Sequence, residues 1–311
     1  MTHDLKTPDG SPISPYCFGT MQFGGKADQA ASHAMYDAAR GAGINFFDTA
    51  YGYTDGRSET MVGEFVRPER DKVFVATKCA HPDNSKAVTI KRQFEESLAR
   101  LGMDRVDLLY LHRWDDDTPL RETFEALARV VEAGTTRYIG VSNFAAWQVM
   151  KAARVAAEFG LRIAMIQPMY NLVKRQAEVE IIPMAMAEGM AVVPYSPLGG
   201  GLLTGKYAGG QSGRLLDDPM YKARYGQGWM HSAAAALSEF AAELGVSPIT
   251  LAVAWVARNP GIAAPIISGR SVEQMQPSLA AMSFEMDDDL YQRLCALTPT
   301  PPPATDRSEE T

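Results

Sequence analysis

Long apolar stretches are missing from this chain. No uncharged hydrophobic run in its 311 residues reaches the roughly 18 residues that a membrane-spanning helix needs. The opening Met1-Thr2-His3-Asp4-Leu5-Lys6 has no apolar segment of the kind a signal peptide carries. Cysteine is scarce: Cys17, Cys79 and Cys295 form no C-x-x-C pair and read as reduced thiols. Basic clusters are absent too. The net charge is −7 with a pI near 5.3, and no Lys/Arg arm breaks that balance, so nucleic acid is excluded as an expected partner. Together these absences predict a soluble, cytoplasmic protein without a membrane partner. An acidic total still permits a local basic patch for a phosphorylated cofactor.

What is present is a hydrophobic fraction of 46%, ample for a buried core. Thr7-Pro8-Asp9-Gly10 is a turn signature and predicts a small hairpin over residues 4–14. Beyond it, short apolar runs near 15–20, 44–48, 73–78, 106–112, 136–142, 163–167, 191–195 and 262–267 alternate with helix-period stretches. Phe94, Leu98 and Leu101 show the spacing of one helix face. Gly41, Gly102, Gly134, Gly160 and Gly189 fit helix C-terminal stops. Eight strand–helix units of this size predict an α/β protein with a (β/α)8 TIM barrel. A doubly wound dinucleotide fold would carry G-x-G-x-x-G after its first strand, whereas Gly19-Thr20-Met21-Gln22-Phe23-Gly24-Gly25 stands there. The expected organisation is a single barrel domain over 1–298, a long loop over 205–230 after strand 7, and a Pro-rich tail over 299–311, disordered or extended.

Barrels of this kind place their active sites at the C-terminal strand ends. Asp48, Lys78 and His112 close successive predicted strands, and Tyr53 lies five residues beyond Asp48 in the loop. An acid, a phenol, an ammonium and an imidazole at one mouth make a proton-transfer site without a metal. A lysine ammonium beside a phenol favours the phenolate and is expected to lower the pKa of Tyr53. Asp48 would hold Lys78 charged, and His112 would orient a carbonyl oxygen. Singly, each has a plainer reading: a helix cap, a loop aromatic, a solvated strand end, a core histidine. The joint placement is what points to chemistry.

Gly43-Ile44-Asn45-Phe46-Phe47-Asp48-Thr49-Ala50 with Tyr53 and Arg57-Ser58-Glu59 resembles the N-terminal signature of the aldo-keto reductases. Ile139-Gly140-Val141-Ser142-Asn143-Phe144, Gln167-Pro168-Met169-Tyr170-Asn171 and Tyr195-Ser196-Pro197-Leu198 resemble the motifs of their fifth, sixth and seventh strands. The likeness runs from about residue 15 to 283 and is nearest to the longer bacterial type, similar to aryl-alcohol dehydrogenases and potassium-channel β subunits. It implies hydride transfer between a nicotinamide cofactor, usually NADPH, and a small carbonyl compound, with no metal. Tyr53 would be the general acid and Lys78 its modulator, with Asp48 and His112 beside them. Gly19, Thr20 and Met21 would border the cofactor. Ser142, Asn143 and Gln167 would hold its carboxamide, and Tyr195 would stack on the ring. Ser196, Leu198 and Gly200 would line the pyrophosphate path, with Lys206 and Arg214 closing over it. Ser268, Gly269, Arg270, Gln274 and Ser278 would form the adenosine end, where the Arg270 fork suits a 2′-phosphate. The family often has glycine at the position of Ser268 and asparagine at that of Ser278, so NADH stays possible. Substrate would meet Gln22, Phe23, Trp114, Tyr221, Tyr225 and Trp229, whose aromatics suggest a flat or apolar compound.

Gly200-Gly201-Leu202-Leu203-Thr204-Gly205-Lys206 nearly matches a phosphate-binding loop, but Tyr207 replaces the hydroxyl residue that would hold magnesium. Two other readings remain open on the same residues. One is a cofactor-binding regulatory subunit with little turnover. The other is an aldolase with Lys78 as Schiff-base nucleophile, which pairing with Asp48 disfavours.

Overall fold

The computed structural model describes residues 4–209, 215, 218–307 and 309. Its centre is one ring of parallel strands: β1 (Cys17–Gly19), β2 (Phe46–Asp48), β3 (Phe74–Cys79), β4 (Val106–Leu111), β5 (Thr136–Ser142), β6 (Ile163–Gln167), β7 (Ala191–Val192) and β8 (Ile266–Ile267). They are hydrogen-bonded in the order β7-β6-β5-β4-β3-β2-β1-β8. The amides of Ala263 and Ile266 donate to the carbonyls of Val192 and Pro194, at 2.9 Å each, and so close the ring. This is the (β/α)8 barrel that the alternation predicts. β7 and β8 are shorter than their apolar runs because Pro194 and Pro265 supply no amide to the ladder.

Helices α1 (Gln29–Gly41), α2 (Arg57–Val66), α3 (Ala87–Leu101), α4 (Leu120–Glu132), α5 (Ala146–Ala157) and α6 (Ile181–Ala187) separate successive strands. The helix-period stretch over 174–188 predicts a helix about twice as long as α6, which starts only at Ile181 since Pro183 is compatible only with a first helical turn. Between β7 and β8 come α7 (Pro219–Tyr225), α8 (Gly228–Glu243) and α9 (Pro248–Arg258), and α10 (Val272–Ala280) and α11 (Asp288–Cys295) follow β8. The stretch 205–230 is therefore not all loop. Asp218 caps α7 by accepting from the Met220 amide at 2.9 Å, and Pro219 sets its first turn. Neighbouring glycines and a length of seven residues hide this helix from a periodicity reading. Gly102, Gly134, Gly160 and Gly189 do take positive φ after their helices, whereas Gly41 does not and the turn falls at Gly43. Residues 299–307 carry no helix or strand. Among the described residues no single helix is long and apolar enough to cross a membrane.

The period-2 rule of strands organises the interior. Cys17, Phe46, Phe74, Ala76, Leu108, Tyr110, Met165 and Val193 form one buried cluster inside the ring. The predicted hairpin plugs its lower end: Lys6 and Pro12 bridge antiparallel, and Leu5 joins the same cluster. Alternate residues such as Phe47, Val75, Leu109, Val141 and Ile166 belong to the outer cluster beneath the helices. Gly140 is required inside, because a Cβ there would sit 2.5 Å from the Tyr110 ring.

Gly63 lets α2 approach the end of α3 closely. A Cβ on it would lie 2.0 Å from the Leu101 carbonyl oxygen at the end of α3. Gly63→Ala is expected to destabilise by about 1–3 kcal/mol despite its better helix propensity. Gly41→Ala has open space around it and is expected to stabilise by about 0.5 kcal/mol. Denaturant midpoints of the two variants check the opposite signs.

Candidate active site

Each inward stripe of the barrel starts apolar and ends polar. Phe46 leads to Asp48, Phe74 and Ala76 to Lys78, Tyr110 to His112, Gly140 to Ser142, Met165 to Gln167, and Val193 to Tyr195. The parallel register brings these ends to one mouth, with Gly19 beside Asp48 and Ser142 beside Gln167.

Lys78 lies at the centre, with no exposed surface. Its Nζ donates to Asp48 Oδ1, to the Thr49 carbonyl at 2.8 Å and to the Tyr53 hydroxyl at 3.3 Å. All three of its protons therefore have acceptors. The other Asp48 oxygen accepts from Gln167 Nε2 at 2.9 Å. Burial alone would depress Lys78, but Asp48 and Tyr53 outweigh it and leave the ammonium above its usual range. Tyr53 opens a turn in which Thr54, Asp55 and Gly56 all take positive φ. Thr54 Oγ1 fixes that turn by donating to the Phe23 carbonyl at 2.8 Å. The Tyr53 ring meets the His112 ring edge-on at 5.9 Å.

The sequence predicts a lowered tyrosine, and the structure reverses that sign. Burial raises Tyr53 above its ordinary value, and the opposing pull of Lys78 is the smaller effect. Tyr53 is thus fully protonated at neutral pH. His112 is pushed down to about 2 by burial first, then by the charges of Lys78 and Arg113 and by His81. It is a neutral imidazole, and its buried Nδ1 has no hydrogen-bond partner among the described residues.

Above these groups opens a cavity of about 720 Å³. It runs from Tyr53 and His112, past Tyr195, to the N-terminus of α10. Tyr195 donates from its hydroxyl to Asn143 Oδ1 at 2.6 Å, and Asn143 Nδ2 donates to the His112 carbonyl at 2.9 Å. These bonds hold Asn143 at a φ of 60°. Lys206 and Arg270 line the cavity and have no carboxylate partner among the described residues.

The aldo/keto reductase family model matches residues 15–298. The chain belongs to the aldo/keto reductase family. It is 34% identical over 314 residues to the oxidoreductase YrpG of Bacillus subtilis, covering 94% of each chain. A probable voltage-gated potassium channel subunit beta of Oryza sativa is 34% identical over 88% of each chain. Norsolorinic acid reductase stcV of Emericella nidulans is 32% identical over 91% of this chain and 78% of its own. Family membership makes the protein an NAD(P)H-dependent oxidoreductase.

The cavity fits a dinucleotide on its own chemistry. Ser278 Oγ is buried in the wall without a partner among the described residues. Gly200 must lack a side chain, since a Cβ would meet the Tyr221 ring at 2.6 Å. Ser268, Gly269 and Arg270 precede α10, whose cap Ser271 leaves the helix N-terminus at the cavity. Of the sequence-derived residues, Gly19, Met21, Ser142, Asn143, Gln167, Tyr195, Ser196, Leu198 and Gln274 also line it. Thr20 does not: it is buried behind the wall, its hydroxyl 2.8 Å from Ser58 Oγ. Arg214 lies outside the described residues.

The substrate expectations divide. Gln22 and Tyr221 line the cavity. Phe23 instead packs in the core against Phe18 and Phe65, at 5.8 and 5.9 Å. Trp114 turns outward onto Phe144 and Trp147, and Trp229 is exposed at the start of α8, donating to Gln227. Tyr225 is fully buried behind Tyr221, its hydroxyl accepting from Asn171 at 3.4 Å. Sequence reasoning missed His81, Arg113 and Arg224, which all line the cavity. The first two adjoin strand ends already singled out, and that adjacency was the available signal.

A depressed histidine makes stability pH-dependent. Between pH 6.5 and 2 the unfolded chain binds a proton at His112 that the folded chain refuses, so stability falls as pH falls through that window. The loss is about 1.4 kcal/mol by pH 5.5. His112→Gln is expected to flatten urea-derived stability between pH 7.5 and 5.5 by that amount. His81 is lowered too, by burial and by Arg113, and leaves a smaller dependence of the same sign.

Proposed function

We propose that this protein reduces an aldehyde or ketone to an alcohol with NADPH, Tyr53 donating the proton. The observation that carries this reading is the three-way hydrogen bonding of Lys78, which joins Asp48 and Tyr53 beneath a cavity lined by His112. When bound, the cofactor supplies the hydride. Tyr53 starts protonated and gives its proton as negative charge grows on the carbonyl oxygen. The Lys78 ammonium stabilises the phenolate left behind, and Asp48 keeps that ammonium charged and aimed. His112 is neutral, so it serves by hydrogen-bonding the carbonyl oxygen rather than by ionising. A charged, fully buried Lys78 argues against a Schiff-base nucleophile.

Under the same reading Ser142, Asn143 and Gln167 hold the carboxamide, and Tyr195 supplies the stacking face. Lys206 serves the pyrophosphate and Ser278 the adenine. Arg270 takes the 2′-phosphate: it forms no ion pair among the described residues, although Glu273 stands three positions on. That freedom supports NADPH over NADH.

Fluorescence titration with each cofactor, then cofactor oxidation with 4-nitrobenzaldehyde, tests the proposal. Tyr53→Phe is expected to lower kcat by at least about 100-fold while the NADPH Kd stays within about twofold. Equal loss of binding and turnover would contradict the assigned roles. Arg270→Met is expected to weaken NADPH by about tenfold or more and to leave NADH nearly as it was. Cofactor binding by the native protein without turnover of any aldehyde would replace the enzyme with a binding subunit.

A further inference from the structure

The cavity has two ends, and its charges are not all accounted for by a dinucleotide. Lys206 and Arg270 belong to the cofactor end. At the Tyr53 end stand two more guanidinium groups. Arg113 follows His112 at the top of β4, and Arg224 comes from α7 across the mouth. Neither has a carboxylate partner among the described residues. Arg224 is half-buried and stacks on the Tyr221 ring at 5.6 Å, which fixes its head against the cavity wall. Among the described residues, the carboxylate lining this end is Asp48, already neutralised by Lys78. The two histidines there are both depressed and carry no charge at neutral pH. Burial raises the Tyr195 phenol, and Arg224 and Arg113 both pull it back down, so both charges act on that ring.

We propose that the substrate is a carbonyl compound carrying a carboxylate, with Arg113 and Arg224 as the groups that hold the anion while Tyr53 and His112 meet the carbonyl. This rests on the reductase reading and deepens it. It also departs from the apolar substrate that the loop aromatics suggest, because Trp114, Tyr225 and Trp229 do not line the cavity. Unpaired arginines beside a largely aromatic wall bind planar carboxylates bidentately, and lysines at these positions would not. The same guanidinium groups recognise phosphate, so both anions belong in the test.

The experiment measures kcat/KM with NADPH for 4-carboxybenzaldehyde, its neutral methyl ester and 4-formylphenyl phosphate. The acid is expected to exceed the ester by tenfold or more, and that ratio is expected to fall towards one in Arg113→Met and in Arg224→Met. A phosphate preferred over the acid would assign the site to phosphorylated carbonyls and overturn the carboxylate. Equal turnover of acid and ester, or a preference that survives both substitutions, overturns the proposal and leaves the reductase standing. An Arg224→Met loss that is equal for acid and ester and follows the NADPH Kd would place Arg224 on the cofactor and overturn its assignment. Cofactor binding with no oxidation by any of the three compounds would overturn both readings.

Discussion

The buried ion pair of Lys78 and Asp48 is the constraint around which the mouth of the barrel is built. Two charges withdrawn from water cost several kcal/mol each unless their hydrogen bonds are complete. Here they are complete: Lys78 spends its three protons on Asp48, Thr49 and Tyr53, and Asp48 accepts from Gln167 as well. The pair therefore ties β2, β3, β6 and the Tyr53 turn into one unit. A further polar layer lies behind it. Thr77, next to Lys78, donates to the buried Glu59 at 2.6 Å, and Arg100 donates to the same carboxylate at 3.2 Å and to the Tyr51 carbonyl at 3.0 Å. Thr20, Thr49 and Ser58 share hydroxyl contacts under Asp48. Arginine, glutamate and threonine thus brace the strand end that carries the lysine, which links the Arg57-Ser58-Glu59 segment to the geometry of the site.

Much of this was legible in the sequence because strands obey a period of two. Once Phe46 and Phe74 face the lumen, Asp48 and Lys78 must face the mouth, and the short apolar runs locate both. The barrel followed from the alternation of strand-like and helix-like segments, and the hairpin from its Thr7-Pro8-Asp9-Gly10 turn. Loop residues have no such rule. Phe23 and Tyr225 read as pocket aromatics and are core residues, and Trp114 and Trp229 turn away from the cavity. Nothing in local sequence separates an aromatic that lines a cavity from one that supports the wall. Arg224 was invisible for a related reason, and adjacency to His112 was the one signal for Arg113: their meaning comes from the missing carboxylate partner, which is a property of the folded surroundings.

The sign of the Tyr53 shift shows why a charge partner alone is a poor guide to a pKa. The sequence reveals that a lysine is near and says little about how dry the site is. Dehydration penalises the phenolate more than one ammonium at 3.3 Å favours it, especially when that ammonium is already shared with Asp48. The outcome suits the chemistry. In the proposed reduction Tyr53 must begin its turn protonated, and the ammonium matters once the proton has left. His112 obeys the same logic from the other side, kept neutral by burial and by the neighbouring cation. The site therefore holds one titratable proton in the right place rather than three in competition.

The charge of the cavity stands against that of the whole protein. The chain carries a net −7, yet Arg113, Lys206, Arg224 and Arg270 all line one cavity without an ion-pair partner among the described residues. Low-dielectric walls focus such a local excess, while the acidic remainder repels anions elsewhere on the surface. On the proposed reading, an anion approaching this protein would be steered towards one opening. Solvent screening acts over about 8–10 Å, comparable with the spacing of groups across such a mouth, so capture weakens with added salt. Tyr53 and Lys78 lie beneath that screened layer and keep their interaction. The proposed mechanism thus separates recognition, which would be electrostatic and exposed, from proton transfer, which would be buried and fixed by hydrogen bonds.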